Sequence, residues 1–328
     1  MNQSTFNENE IKQKINQLNE SLSNTLFGQE KIIEQLLMIV FSEGHGLLVG
    51  VPGLGKTMVI KALAKALEFS FGRIQFTPDL MPSDITGSEI LEEDKTSREL
   101  KYRFIKGPIF ANIILADEIN RTPPKTQSAM LEAMQERSIT TLGVHYELPE
   151  PFFVFATQNP IEQEGTYPLP EAQLDRFLMM LVLDYPSSEA EEKMLKINPE
   201  EKLKELKPVI TAEETKFAIS MSKKIEISEH LIKMITNLVR QTRPEHSDFE
   251  LIRSMLRYGA GPRASQGIMK AVKARAFLKG RNEVILEDLC EVAKPVLRHR
   301  ILSAYHAESE GWNKDSLIDH LIEKCLKN

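Results

Sequence analysis

The chain has 328 residues, enough for about two domains and a sizeable core. Its formal net charge of −6 argues against a dominant nucleic-acid surface, and its two cysteines, Cys290 and Cys325, have neither metal nor redox spacing, as suits a reducing cytoplasm. The polar N-terminus lacks the apolar stretch of a signal peptide, and no apolar run approaches the ~20 residues that span a bilayer, so no direct membrane role is expected.

Residues 1–24, rich in Asn, Gln, Glu and Ser, predict one amphipathic helix around Ile11, Ile15 and Leu18. Gly28-Gln29 precedes a second helix, from about Lys31 to Phe41, and such a pair would let backbone come close to a flat base. Gly46–Val49 reads as a short buried strand. It leads into Gly50-Val51-Pro52-Gly53-Leu54-Gly55-Lys56-Thr57, which fits G-x-x-x-x-G-K-[ST]. Glycines lack a Cβ, so such a loop turns tightly and aims backbone N–H groups at phosphate oxygens. Lys56 would add a point charge at the β- and γ-phosphates, and the Thr57 hydroxyl would ligate Mg²⁺. The helical spacing of Met58–Leu67 puts the positive end of a helix dipole at the same point. A Gly-rich turn that binds nothing would not need that strand–loop–helix context.

Arg73–Thr77 reads as a strand, Pro78–Gly87 as an irregular connection, and Ser88–Phe104 as a hairpin whose tip carries Glu92-Glu93-Asp94-Lys95. Ile113–Ala116 is an apolar strand that delivers Asp117 and Glu118 at its C-terminal end, where open α/β sheets place ligands. Period-two alternation points the two carboxylates in different directions, so Asp117 can hold Mg²⁺ through its water shell while Glu118 polarises a water. Thr122 as cap and Pro123 at the first position open a helix with Ala129, Met130, Ala133 and Met134 inward. A second hairpin spans Arg137–Pro149. Phe152–Thr157 is a continuous apolar run, the pattern of a strand buried on both faces, and it ends in Gln158-Asn159-Pro160. Asn159 could read a γ-phosphate there or merely start a turn. A helix introduced by Pro168–Glu171 carries Asp175-Arg176-Phe177, and Leu178–Leu183 is one more buried strand.

Asp184–Ser188 marks a boundary, beyond which helical patterns take over around 189–197, 212–223, 229–243, 263–278 and 286–301. Arg263 falls in the first turn of one of them, where a cation opposes the helix dipole at a cost of a few tenths of a kcal/mol. An anionic phosphate or a surface ion pair would account for it. The expected division is a polar N-terminal helix over 1–25, a nucleotide-binding core over 26–186 and a helical lid over 187–328.

Gly50–Thr57, Arg73–Leu80, Asp117–Arg121, Ala156–Pro160 and above all Ile161–Phe177 resemble the MoxR-type AAA+ ATPases. The resemblance implies an α/β fold: a P-loop core with a parallel five-stranded sheet sandwiched by helices, followed by an all-helical lid. It implies ATP and Mg²⁺ as ligands, with Thr57 and Asp117 on the metal and Lys56 and Glu118 in the roles given above. Asn159 matches the sensor on a strand between those of the phosphate loop and the acidic pair. Arg176 matches an arginine finger that completes a neighbouring subunit's site, and Arg263 a lid sensor acting on its own subunit's phosphate. Gly28 and Gln29, with Pro52, Gly53, Leu54, Gly55 and Met58, correspond to the nucleotide contacts. Phe27 stands where the family more usually has a smaller aliphatic residue. The resemblance also implies a homo-oligomeric ring, hexameric by expectation, a chaperone-like role beside a separate von Willebrand factor A domain protein, and work in metal insertion or complex maturation. No aromatic-hydrophobic-Gly pore loop is present, which argues against processive threading. A chelatase-like or DNA-associated motor and a nucleotide-gated scaffold with little turnover are the alternatives.

Overall fold

Side chains that alternate between two apolar faces set the architecture of five short strands. In the computed structural model, which describes residues 6–93, 100–141, 143–161, 165–196 and 198–326, these are β1 (Gly46–Val49), β2 (Phe71–Gln75), β3 (Ile113–Asp117), β4 (Phe153–Gln158) and β5 (Met179–Val182). They form one parallel sheet in the order β2-β3-β4-β1-β5. Leu48, Ile113, Leu115, Phe153 and Phe155 enter one apolar cluster, whereas Leu47, Ile114, Ala116, Val154 and Ala156 enter another. The sheet is therefore covered on both sides.

The first face is covered by α1 (Glu8–Thr25), α2 (Glu30–Phe41) and α3 (Lys56–Ala66), the second by α4 (Pro124–Glu136). In α1, Asn7 accepts the Asn9 N–H at 3.0 Å as cap, and Ile11, Ile15, Leu18 and Leu22 make one buried stripe, as the periodicity predicted. Helix α4 starts one residue later than expected. Pro123 is its cap, and the buried Thr122 hydroxyl donates instead to the Thr77 carbonyl at 3.0 Å. The connection before the first hairpin is not wholly irregular, because Pro82–Thr86 closes one helical turn after Met81.

Helices α5 (Ala212–Lys223), α6 (Glu229–Gln241), α7 (Pro262–Leu278), α8 (Leu286–Leu297) and α9 (Lys314–Leu326) build the lid. Its apolar residues continue the cluster that lies under α1 and α2. The lid is mainly helical but includes a small antiparallel pair, Leu256–Tyr258 with Leu302–Ser303, and α9 extends it beyond the expected last helix. Both expected hairpins form, Gly87–Glu93 with Leu100–Lys106 and Ser138–Thr141 with Val144–Glu147; Asp94 and Lys95 of the charged tip lie outside the described residues. The two hairpins are tied by Phe104 stacked on Tyr146, ring centroids 4.3 Å apart, with Phe110 edge-on to both.

His45, just before β1, ties β4 to α4. Its Nδ1 accepts the Val154 N–H at 3.0 Å and its Nε2 donates to the Met134 carbonyl at 3.1 Å, which fixes a neutral ring. Burial, with Arg137 and Lys270 nearby, holds its pKa down at about 4 instead of 6.5. The buried His299 is shifted in the same direction by burial. A histidine with a lowered folded-state pKa contributes its full stability above 6.5 and loses it as pH falls toward 4. For His45 the loss reaches about 3 kcal/mol. Urea unfolding between pH 7 and 5 should show this decline, and His45→Asn should flatten it. A slope unchanged by the substitution would contradict the assignment.

Candidate nucleotide site

Register fixes where the strands end. Val49 pairs with Gln158 and Asp117 with Gln75, so the phosphate loop, Asn159 and Glu118 all leave the sheet at its C-terminal edge. Gly53 and Gly55 take φ of +88° and +73°, a region that favours glycine. Gly50 is packed so closely that a Cβ would meet the Leu183 carbonyl oxygen at 3.0 Å. Helix α3 begins at Lys56 with no side-chain cap, which leaves backbone donors at the loop. Lys56 Nζ donates to the Gly50 carbonyl across the loop, and Thr57 follows in the first turn, half-buried. Pro52 is exposed.

The two acids differ in surroundings. Asp117 is buried; its Oδ2 accepts from Arg73 Nη2 at 2.6 Å and its Oδ1 from the Thr157 hydroxyl at 2.7 Å. Glu118 adopts a left-handed backbone, φ +57°, and its N–H donates to the same hydroxyl at 2.9 Å. Its Oε2 accepts from Gln75 Nε2 at 3.1 Å and Arg121 Nη1 at 2.8 Å, while Gln75 Oε1 accepts from Arg73 at 2.7 Å. One chain of polar contacts thus links the acids through β2. Arg73, Gln75, Arg121 and Thr157 were not singled out from the sequence. The available signal was alternation, which puts Arg73 and Gln75 on one face of a strand ending level with Asp117. Asn159 is buried, and its Oδ1 accepts the Ile161 N–H at 3.2 Å.

Beside the loop lies a cavity of about 350 Å³ whose walls include Gly28, Gln29, Gly53, Leu54, Gly55 and Met58. Phe27, Pro186 and Met194 add apolar surface. At Gly28, φ +69°, a Cβ would meet that of Ala190 at 2.6 Å. Gln29 Nε2 donates to the Leu54 carbonyl at 3.3 Å, whereas its buried Oε1 has no hydrogen-bond partner among the described residues. An orphaned acceptor beside an apolar slot fits a base with an amino donor.

Arg176 and Arg263 sit elsewhere. The helix expected to carry Asp175–Phe177 is only Glu171–Leu174, and Arg176 lies in the turn beyond it. Arg176 Nη1 donates to the Leu131 carbonyl at 2.7 Å, and its buried Nε has no partner among the described residues. Arg263 pairs with Asp175 at 3.7 Å. Both line a cleft that contains Gly44, His45 and Leu178, at the N-terminal edge of the sheet. Gly44 and Gly50 are separated by the length of β1, ~20 Å of extended chain. Arg263 is therefore not brought to its own phosphate loop, as the resemblance implied, but to Arg176. Packing of α7 decides this: Gly267, one turn on, sits against Leu178. Five cations (Arg137, Arg176, Arg263, Lys270 and Arg300) and two acids (Glu43 and Asp175) line this cleft, a setting for an anion.

The strand order, the loop after β1 and the acids at the end of β3 define a phosphate-loop ATPase of the AAA class. Residues 45–179 match the family described as ATPase family associated with various cellular activities (AAA), and residues 249–321 match the AAA lid domain. With the chaperone MoxR1 of Mycobacterium tuberculosis the chain shares 38% identity over 308 residues, 91% of this chain and 78% of that one. The chain belongs to the MoxR family of AAA ATPases. YeaC of Bacillus subtilis is 41% identical over 304 residues, 92% of this chain and 91% of that one. The crystal structure of a candidate ATPase from Cytophaga hutchinsonii superposes with a TM-score of 0.88 at 40% identity, covering 97% of this chain and 96% of that one.

Proposed function

We propose that the protein hydrolyses ATP at interfaces between subunits of a homo-oligomeric ring, hexameric by expectation, and uses turnover to remodel protein complexes or insert metal cofactors. One observation carries the reading: Lys56, Asp117 and Glu118 stand at one edge of the sheet while Arg176 and Arg263 stand at the other. Each chain carries both halves of a site at opposite ends, which suits head-to-tail assembly and closure into a ring.

The loop N–H groups and Lys56 bind the β- and γ-phosphates. Thr57 and Asp117 offer oxygen donors, as a hard cation requires, and Mg²⁺ there would neutralise phosphate charge. The Glu118 carboxylate orients the attacking water and draws its proton, and Asn159 holds the far side of the γ-phosphate. Arg176, with Arg263 beside it, meets the charge that develops on the neighbour's phosphate. The Phe27–Met194 cavity takes the adenine.

Residues 1–25 act as a cover on the first sheet face, 26–186 as the nucleotide-binding core and 187–328 as the lid. The name of the M. tuberculosis relative supports a chaperone-like role, and a separate von Willebrand factor A domain protein is the proposed partner. Among the described residues no helix is long and apolar enough to cross a membrane, and we place the protein in the cytoplasm. If the site is shared, ATPase activity per subunit with Mg²⁺ should fall steeply on dilution as rings dissociate. Activity per subunit that stays constant down to dilute monomer would overturn the reading.

A further inference from the structure

Three consecutive side chains after α8 reach across to the segment that carries Arg176. Arg300 is almost wholly buried. Its Nε donates to Asp175 Oδ1 at 2.8 Å, its Nη1 to the Leu178 carbonyl at 3.0 Å and its Nη2 to the Phe177 carbonyl at 2.7 Å. His299 Nε2 donates to the same Phe177 carbonyl at 2.9 Å, and Arg298 Nη1 to that of Met180 at 3.3 Å. The other oxygen of Asp175 faces Arg263 of α7. Two lid elements thus converge on the residue next to Arg176. The core ties the same segment further along, where the Leu178 N–H donates to the His45 carbonyl at 2.8 Å.

We propose that Arg300 and Asp175 are positioning residues, the joint through which the lid sets Arg176 for the neighbouring subunit; this rests on the shared-interface reading above. A staple between lid and core would account for the ion pair alone. It would not need a planar, rigid fork whose Nη1 also holds the Val296 carbonyl of α8 to place Nη2 at the Phe177 and Asp175 carbonyls on either side of Arg176. Rotation of the lid moves Arg300, and with it the backbone on which Arg176 stands. Reacting groups displaced by about 1 Å lose on the order of 10²-fold in rate, so a small movement suffices to switch the finger off.

The test uses Arg300→Lys, which keeps the charge and loses the fork, and Asp175→Asn, which is isosteric at a partly exposed site. Each should bind a fluorescent ATP analogue within about twofold of the parent and lose ~10- to 100-fold in kcat. Each variant is then mixed with Glu118→Gln or with Arg176→Ala subunits. If the joint acts through the finger, activity returns with Glu118→Gln, whose finger is intact, and not with Arg176→Ala. The opposite pattern would mean that the joint serves its own subunit's nucleotide, and it overturns the proposal. Unchanged kcat, or a loss that neither mixture restores, overturns it too and leaves only a staple. A control mixture of Arg176→Ala and Glu118→Gln separates the two levels: if the control recovers, only the joint is at stake, and if it fails, the shared interface falls and the joint with it.

Discussion

Glu118→Gln is expected to lower ATP turnover by ~10²–10⁴-fold while nucleotide affinity stays within a few-fold of the parent. The amide fills the same space but cannot take a proton from water. Glu118 also sits at φ +57°, a conformation that costs a non-glycine residue on the order of 1 kcal/mol and persists only where neighbours enforce it. Thr157 does so by accepting its N–H, and Gln75 and Arg121 hold the carboxylate. Strain retained at a strand end beside a phosphate loop is what a positioned acid requires. Lys56→Ala should behave differently and lose binding, because Lys56 supplies the loop's point charge and its cross-loop tie to Gly50. Calorimetric titration with ATP, paired with phosphate release, separates the two variants. Equal binding defects in both would count against the roles assigned here.

Arg176→Ala should cost ~10³-fold or more in turnover with little change in affinity, the range found where a cation is supplied across an interface. In the single chain, the Arg176 side chain donates to the Leu131 carbonyl, and its buried Nε has no partner among the described residues. Such a bond from a charged donor is worth about 1.5–3 kcal/mol net, against about 4 kcal/mol for a thousandfold rate effect. The intrachain contact is therefore too weak to keep the guanidinium from a neighbour's phosphate. Steady-state kinetics and affinity on the same preparation check this, and a variant that loses affinity in proportion to rate would argue for a ground-state contact instead.

Much of the core was legible because its strands are buried on both faces and read as unbroken apolar runs, Ile113–Ala116 and Phe152–Thr157 above all. The phosphate loop and the acids at a strand end were legible because glycine, lysine and carboxylate each have a physical reason to be there. What escaped depended on contacts distant in sequence. Arg73 and Gln75 gain meaning only once β2 lies beside β3, and Thr157 only once β4 flanks β3 on its other side. The place of Arg263 follows from the packing of α7 on Leu178, which a helix start in the sequence does not encode. The successive prolines Pro123 and Pro124 each suit a first helical turn, and the backbone chose the second. Asp175–Phe177 continues a helical pattern, yet Arg300 and His299 take its carbonyls and unwind it.

The shared site is tested most directly by mixing inactive Arg176→Ala subunits with inactive Glu118→Gln subunits and measuring ATP turnover. One supplies an intact acid, the other an intact finger, and the account predicts that activity reappears in the mixture and peaks near equal proportions. Turnover that stays at the level of the separate variants at every ratio, in mixtures shown to co-assemble, would contradict it.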